Sequence, residues 1–172
     1  TVRMKVKYVM LALMATGLLS CDKILNNNGK IWDIAPVVFR VEVIDADGVD
    51  LLNPDNRNSL NTDGINAYYK GAKYVCKKDI PINETKAYMP HFYGLKVRKQ
   101  FSGNTYILEF GELAGDKDYP NEEVAVFWGD GTWDVIRVKR KFRWKLNGDP
   151  DINDKWYLND VIVPEGVIRI VK

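Results

Sequence analysis

Histidine and cysteine are nearly absent, with one His and two Cys in 172 residues. The one histidine, His91, lies in Met89-Pro-His-Phe-Tyr-Gly94 among rings that suit packing or a binding rim better than a general base. There is no Gly-x-Ser-x-Gly elbow, no His-Glu-x-x-His pair and no phosphate loop, so the common signatures of serine hydrolases, zinc peptidases and nucleotide-using enzymes are missing. No motif implies a cofactor. The 23 acidic residues could still form a carboxylate pair for glycoside hydrolysis, which keeps a hydrolase as the minor alternative. An excess of one charge is lacking too: 25 Lys and Arg against 23 Asp and Glu leave a formal +2, with no global field toward nucleic acid or an anionic membrane. After residue 20 no window keeps a 3.6-residue apolar repeat, and there are no internal repeats. A helical bundle is excluded.

The chain also lacks an apolar run long enough to cross a bilayer. Tyr8 to Leu19 is 12 residues, against the roughly 20 a membrane-spanning helix needs. Its context is informative, because Met4-Lys-Val-Lys7 precedes it and Leu18-Leu-Ser-Cys21 follows. A positive segment, a short apolar segment and a small residue before a cysteine read as a secretion signal over residues 1–20. The order resembles that of bacterial lipoprotein signal peptides, with Leu18, Ser20 and Cys21 on the lipobox positions. The resemblance implies that Cys21 is lipidated and becomes the first residue of the anchored protein. Acyl chains bury about 0.8 kcal/mol per CH₂ and would hold a soluble domain at a membrane surface. The implied address is the cell envelope of a Gram-negative bacterium, with the outer membrane favoured and the side of the membrane open.

Cleavage there would leave 22 basic and 23 acidic side chains, close to neutral. With Cys21 lipidated, Cys76 has no partner for an internal disulfide and is read as a buried apolar residue. Residues 21–31, with Asn26-Asn-Asn-Gly29, lack periodicity and read as the lipidated cysteine and a tether. Residues 32–172 then form a single domain.

Within that domain the dominant period is two. Val37, Phe39, Val41 and Val43 alternate with Val38, Arg40, Glu42 and Ile44, a strand with one apolar face. Hairpins are expected around Lys70-Gly71-Ala72, Ser102-Gly103-Asn104 and Gly129-Asp130-Gly131. Eight to ten short strands between turns predict an all-β fold, an antiparallel β-sandwich for which an immunoglobulin-like arrangement is one form. Two stretches, Phe39 to Pro54 and Lys145 to Asn159, resemble small uncharacterised envelope lipoproteins of Gram-negative gut bacteria over about a fifth of the chain. That resemblance again implies a β-sandwich and carries no activity. Phe127-Trp-Gly-Asp-Gly-Thr132 resembles the Phe-Gly-Asp-Gly-Thr signature of PKD domains; the His-x-Tyr that follows in that family is absent, and the stretch reads as a hairpin tip.

Three groups of residues are candidate sites. Asp45, Asp47 and Asp50, and separately Asp149, Asp151, Asn153 and Asp160, offer oxygen atoms of the kind Ca²⁺ uses. The first set has its glycine too early for an EF-hand, and the second has Asp154 where the glycine is needed. Polar turns capped by Asp and Asn are the favoured reading of both, with no metal. Five tryptophans are many for this size, and Trp128 and Trp133 bracket a hairpin tip where rings could stack on a sugar. Finally, Ile136 to Leu146 holds six basic residues and no acidic one. Arg137, Lys139, Lys141, Arg143 and Lys145 fall on one strand face, and Ile136, Val138, Phe142, Trp144 and Leu146 on the other with Arg140 the exception. This is a strand with a positive face rather than a nucleic-acid arm, either a solvated wall or a stripe for anions. The expected function is a noncatalytic envelope module that binds a glycan or a partner protein. A structural subunit of an outer-membrane or fimbrial complex is the alternative.

Overall fold

The computed structural model describes residues 31–77, 92, 94–100 and 103–172. The signal segment, Cys21, the tether up to residue 30 and His91 lie outside the described residues. The chain divides into a small unit, residues 1–33 and 143–151, and a main unit, residues 34–142 and 152–172. Among the described residues of the small unit, Lys145 to Asp149 form a closed turn in which the Lys145 amide donates to the Asp149 carbonyl at 2.9 Å. The Trp32 indole donates to the Gly148 carbonyl at 3.1 Å.

The fold is an all-β sandwich, as the period of two requires. Its strands are β1 (Val37–Ile44), β2 (Asn66–Tyr69), β3 (Ala72–Val75), β4 (Leu95–Lys99), β5 (Tyr106–Leu113), β6 (Tyr119–Phe127), β7 (Trp133–Trp144), β8 (Pro150–Leu158), β9 (Val161–Val163) and β10 (Ile168–Val171). One sheet has the order β10-β1-β5-β4 and the other β3-β2-β6-β7-β8-β9. β1 and β10 pair in parallel, with Val41 beside Ile168, while β1 with β5, β4 with β5, β2 with β3, β2 with β6, β6 with β7 and β8 with β9 are antiparallel. In the immunoglobulin order the second strand joins the sheet of the first. Here β2 lies between β3 and β6, so the likeness to that class is one of layers and not of strand order.

The core follows from alternation. Val37, Phe39, Val41 and Val43 of β1, Leu108 and Phe110 of β5, and Ile168 and Ile170 of β10 point inward. They meet Ala67 and Tyr69 of β2, Val124 and Val126 of β6, Ile136 and Val138 of β7, and Trp156 of β8. Among the described residues three ring pairs join the strands of the two sheets: Phe39 against Trp156 with centroids 5.5 Å apart, Tyr69 against Phe110 at 5.5 Å, and Tyr74 against Phe110 at 5.2 Å. Cys76 is buried in the same cluster, as expected of an apolar thiol. Gly111, at φ +76, allows the bulge opposite Val38 and the approach of Phe92, whose ring a Cβ there would meet at 3.1 Å.

The charged side chains Arg140 and Glu122, which the period turns inward, are each answered. Arg140 makes a two-pronged pair with Asp154, Nε to Oδ1 at 2.8 Å and Nη2 to Oδ2 at 2.5 Å, and donates a third bond to the Gly115 carbonyl at 2.9 Å. Its side chain is 8% and that of Asp154 2% exposed, so neither charge can turn to water. The Tyr69 hydroxyl donates to buried Glu122, which Lys70 also reaches at 2.6 Å. Burial, together with the Glu122 carboxylate, raises the Tyr69 phenol.

Removing one partner of the Arg140–Asp154 pair leaves the other buried and uncompensated. Asp154→Asn or Arg140→Met is therefore expected to destabilise the protein by about 3 kcal/mol, and the double change Arg140→Met with Asp154→Leu to recover most of it. Urea denaturation with matched m-values checks this.

Candidate functional site

The outer face of the six-stranded sheet is one of two surfaces that core packing leaves free, and the one that carries exposed rings. Pairing sets its rows: Trp133 lies opposite Phe127, Phe127 opposite Asn66, and Asn66 opposite Val75. The next row is Val135, Ala125, Tyr68 and Lys73, and after it Arg137 opposite Glu123. Three rings on three adjacent strands therefore touch: Tyr68 and Trp133 at 5.2 Å, and Phe127 and Trp133 at 4.8 Å. Trp133 is 51% exposed and Tyr68 36%. Each ring is braced by its neighbour while part of its face stays in water.

Along β7 the same face turns cationic. The Arg137 guanidinium lies 4.6 Å from the Tyr157 ring centre and contacts Asp160 at 2.6 Å, and Lys139 lies 5.6 Å from the same ring. Such stacking fixes a long side chain that would otherwise sample many rotamers. Arg137 Nε is buried and has no hydrogen-bond partner. The alternation expected along Ile136 to Phe142 is present: Ile136, Val138 and Arg140 are buried, while Lys139 and Lys141 are exposed. It ends there. Trp144 is 53% and Leu146 92% exposed, and β7 stops before Lys145. The five-cation stripe is thus divided, with Arg137, Lys139 and Lys141 in the main unit and Arg143 and Lys145 in the small one. Arg143 pairs with Asp151 at 2.5 Å.

The two tryptophans of the hairpin tip part company. Trp128 is 1% exposed, since it continues the inward series Val124, Val126, and its indole donates to Asp134 Oδ2 at 2.7 Å. It is a core residue and no part of a binding surface. Trp133, opposite outward-facing Phe127, is the one of the two whose ring is exposed. The tip is clasped by Lys172, whose ammonium reaches Asp130 at 2.7 Å, also contacts Thr132, and lies 5.3 Å from the Trp128 ring centre. Partial burial would push the Asp130 carboxyl up, but Lys172 and the Thr132 donors outweigh it and hold it at about 2.

The carboxylates considered for Ca²⁺ are dispersed onto other partners. Asp45 caps the amides of Asp47 and Val49 at 2.9 and 2.8 Å. Asp50 accepts from the amides of Leu52 and Tyr106 at 2.9 and 2.7 Å, tying the loop to β5. Asp149 accepts from the Asn147 side chain at 2.9 Å, Asp151 and Asp160 hold arginines, and Asn153 is exposed on β8. Among the described residues no three His, Cys, Asp or Glu side chains converge as metal ligands. A concavity of about 380 Å³ is lined by Lys73, Tyr74, Val75, Lys77, Phe92, Gly94 and Leu95. On the outside of the four-stranded sheet, Glu109 gathers Arg40, Lys96 and Arg98 at 3.0, 3.7 and 2.7 Å. Burial there would raise the Glu109 carboxyl, but the two guanidiniums hold it below its usual range.

Sequence reasoning missed Tyr68, Phe127 and Tyr157 as surface partners. The signal was parity: Tyr68-Tyr69 and Phe127-Trp128 each place one ring in the core and the other outside.

Trp128→Ala is expected to cost about 3 to 5 kcal/mol by emptying core volume, whereas Trp133→Ala should stay within about 1 kcal/mol of the parent; chemical denaturation separates the two. For Asp130, a folded value near 2 against an ordinary 3.8 means its contribution is full above about pH 4 and is lost as pH falls toward 2. In Asp130→Asn the melting temperature should therefore decline less over that interval than in the parent.

No protein-family model, no curated protein and no solved structure matches the chain, and the functional reading rests on the geometry of this face.

Proposed function

We propose that the protein is a noncatalytic binding module of a bacterial cell envelope, held at the membrane by a lipid on Cys21, and that the outer face of its six-stranded sheet takes a glycan. The observation that carries the glycan reading is the half-exposed Trp133, braced by Tyr68 and Phe127 on neighbouring strands. The C–H faces of sugar rings stack on aromatic faces, and large amphipathic rings contribute contact area at low entropic cost. Rings fixed on a sheet need little further ordering when a ligand arrives. The anchor rests on the order of positive segment, apolar segment and Leu18-Leu-Ser-Cys21. Among the described residues no helix is long and apolar enough to cross a membrane. The outer membrane remains the favoured address.

A second reading has its own observation. β9 ends the six-stranded sheet, and its Val161 and Ile162 are 66% and 65% exposed. Such an edge can accept a strand from a partner, as an assembly subunit would require.

Two experiments separate these readings. Cys21→Ala should abolish acyl labelling and move the protein from the membrane to the soluble fraction, and unchanged retention would contradict the anchor. On a broad glycan array, Trp133→Ala should weaken whatever the parent retains by about tenfold, the loss of one ring stack, while Val161→Lys with Ile162→Lys leaves it intact. If no glycan is retained and the β9 variant instead releases an envelope protein, assembly replaces binding as the function.

A further inference from the structure

The distance between the rings and the cations on this face constrains what could touch both. Trp133 and Arg137 are four residues apart on one strand, about 13 Å at roughly 3.3 Å per residue, and Lys139 and Lys141 follow at steps of about 6.6 Å. A single sugar cannot span the first interval. A ligand that uses the whole face is a chain lying along β7, with ring faces at one end and anionic groups recurring along its length.

The cations suit an anion on such a chain. Arg137 is held against Tyr157, its contact with Asp160 is to a carboxylate 83% exposed to solvent, and its Nε has no acceptor. The fan of N–H donors on a guanidinium leaves its terminal nitrogens able to serve a second carboxylate, arriving from solvent beside Asp160. Lys73 flanks the rings from β3, and Lys155 is exposed on β8 beside Tyr157. Against Lys73, Arg137, Lys139, Lys141 and Lys155, the neighbouring strands and turns offer Glu123, opposite Arg137, Asp160, and Asp118, which accepts from the Phe142 amide next to Lys141 at 2.6 Å. The face is net positive on a molecule whose total charge is only +2. The opposite sheet differs, since its cations Arg40, Lys96 and Arg98 surround buried Glu109, and Arg169 pairs with Glu42.

We infer that the ligand of this face is a carboxylated polysaccharide, a polymer of uronic acids whose sugar rings stack on Trp133 and Tyr68 and whose carboxylates meet Arg137, Lys139 and Lys141. This rests on the glycan reading above and adds the charge and the polymeric nature of the ligand. Because Lys139 and Lys141 are exposed and Arg137 is only partly buried, affinity is spread over several contacts and falls with salt.

The test compares polygalacturonate and polymannuronate with their fully methyl-esterified forms, which keep the rings and lose the charge, by calorimetry on the full-length protein. At least one acid form should bind, weaken steadily with added sodium chloride, and weaken about fivefold further in Arg137→Gln. Arg169→Gln, on the other sheet, should bind as the parent does. Equal binding of acid and ester forms, or retention of neutral glycans alone on the array, overturns the inference and leaves the glycan reading standing. Failure of both polymers together with an empty array overturns both. Binding to phosphatidylglycerol vesicles in phosphatidylcholine without binding to either polymer overturns the inference in favour of a lipid surface.

Discussion

Each strand of a two-layer sandwich can bury only one of its faces, and the rest of this structure depends on that constraint. Phe39, Phe110, Tyr69 and Trp156 close the space between the sheets through edge-on contacts, and the apolar positions of β1, β6 and β7 alternate to meet them. Register is then fixed, because a slip by one residue would exchange the buried and solvent faces of a whole strand. The same register dictates which side chains stand together outside. Trp133, Phe127 and Tyr68 are neighbours because Ile136, Val124 and Ala67 must be inside.

Buried polar groups are the second consequence. A strand cannot skip a turn of its period, so a charged residue at an inward position needs a partner at the same depth. Arg140 finds Asp154 and the Gly115 carbonyl. Gly115 itself is confined, since a Cβ there would lie 2.1 Å from the Ala35 carbonyl oxygen. Such a pair is expensive to break and contributes little over an apolar replacement, so its effect is to admit only one arrangement of β7 and β8. The outward arginine at position 137 has no such obligation to the core.

Much of the fold was legible because local chemistry and tertiary packing agree. The Lys70-Gly71 turn, with φ of 49° and 79°, joins β2 to β3, and Gly129 and Gly131 sit at positive φ between β6 and β7. β9 was not legible. Its three apolar residues lie between Asn159-Asp160 and Pro164, too short for a period to show, and their partner Trp156 to Leu158 is set by tertiary pairing. The candidate site was half legible. Alternation identified the cations of β7 and singled out Arg140, but it ran past Phe142 to Leu146, where Trp144 and Leu146 are exposed and the strand ends. Proximity to a hairpin tip suggested both Trp128 and Trp133, and only their opposite parity separates them. That Tyr157 would stack on Arg137 depends on how β8 lies beside β7, which no single strand's sequence contains.

The central claim is that an exposed row of rings and cations on one sheet, distinct from the buried tryptophans, is where this protein meets its ligand. The most direct measurement is the proton–nitrogen correlation spectrum of the five indole N–H groups during titration with a uronic-acid polymer. The account predicts a progressive shift of the Trp133 indole and no shift of the Trp128 indole, whose proton is held by Asp134. An unmoved Trp133 signal in a titration that shifts residues of the four-stranded sheet would contradict it.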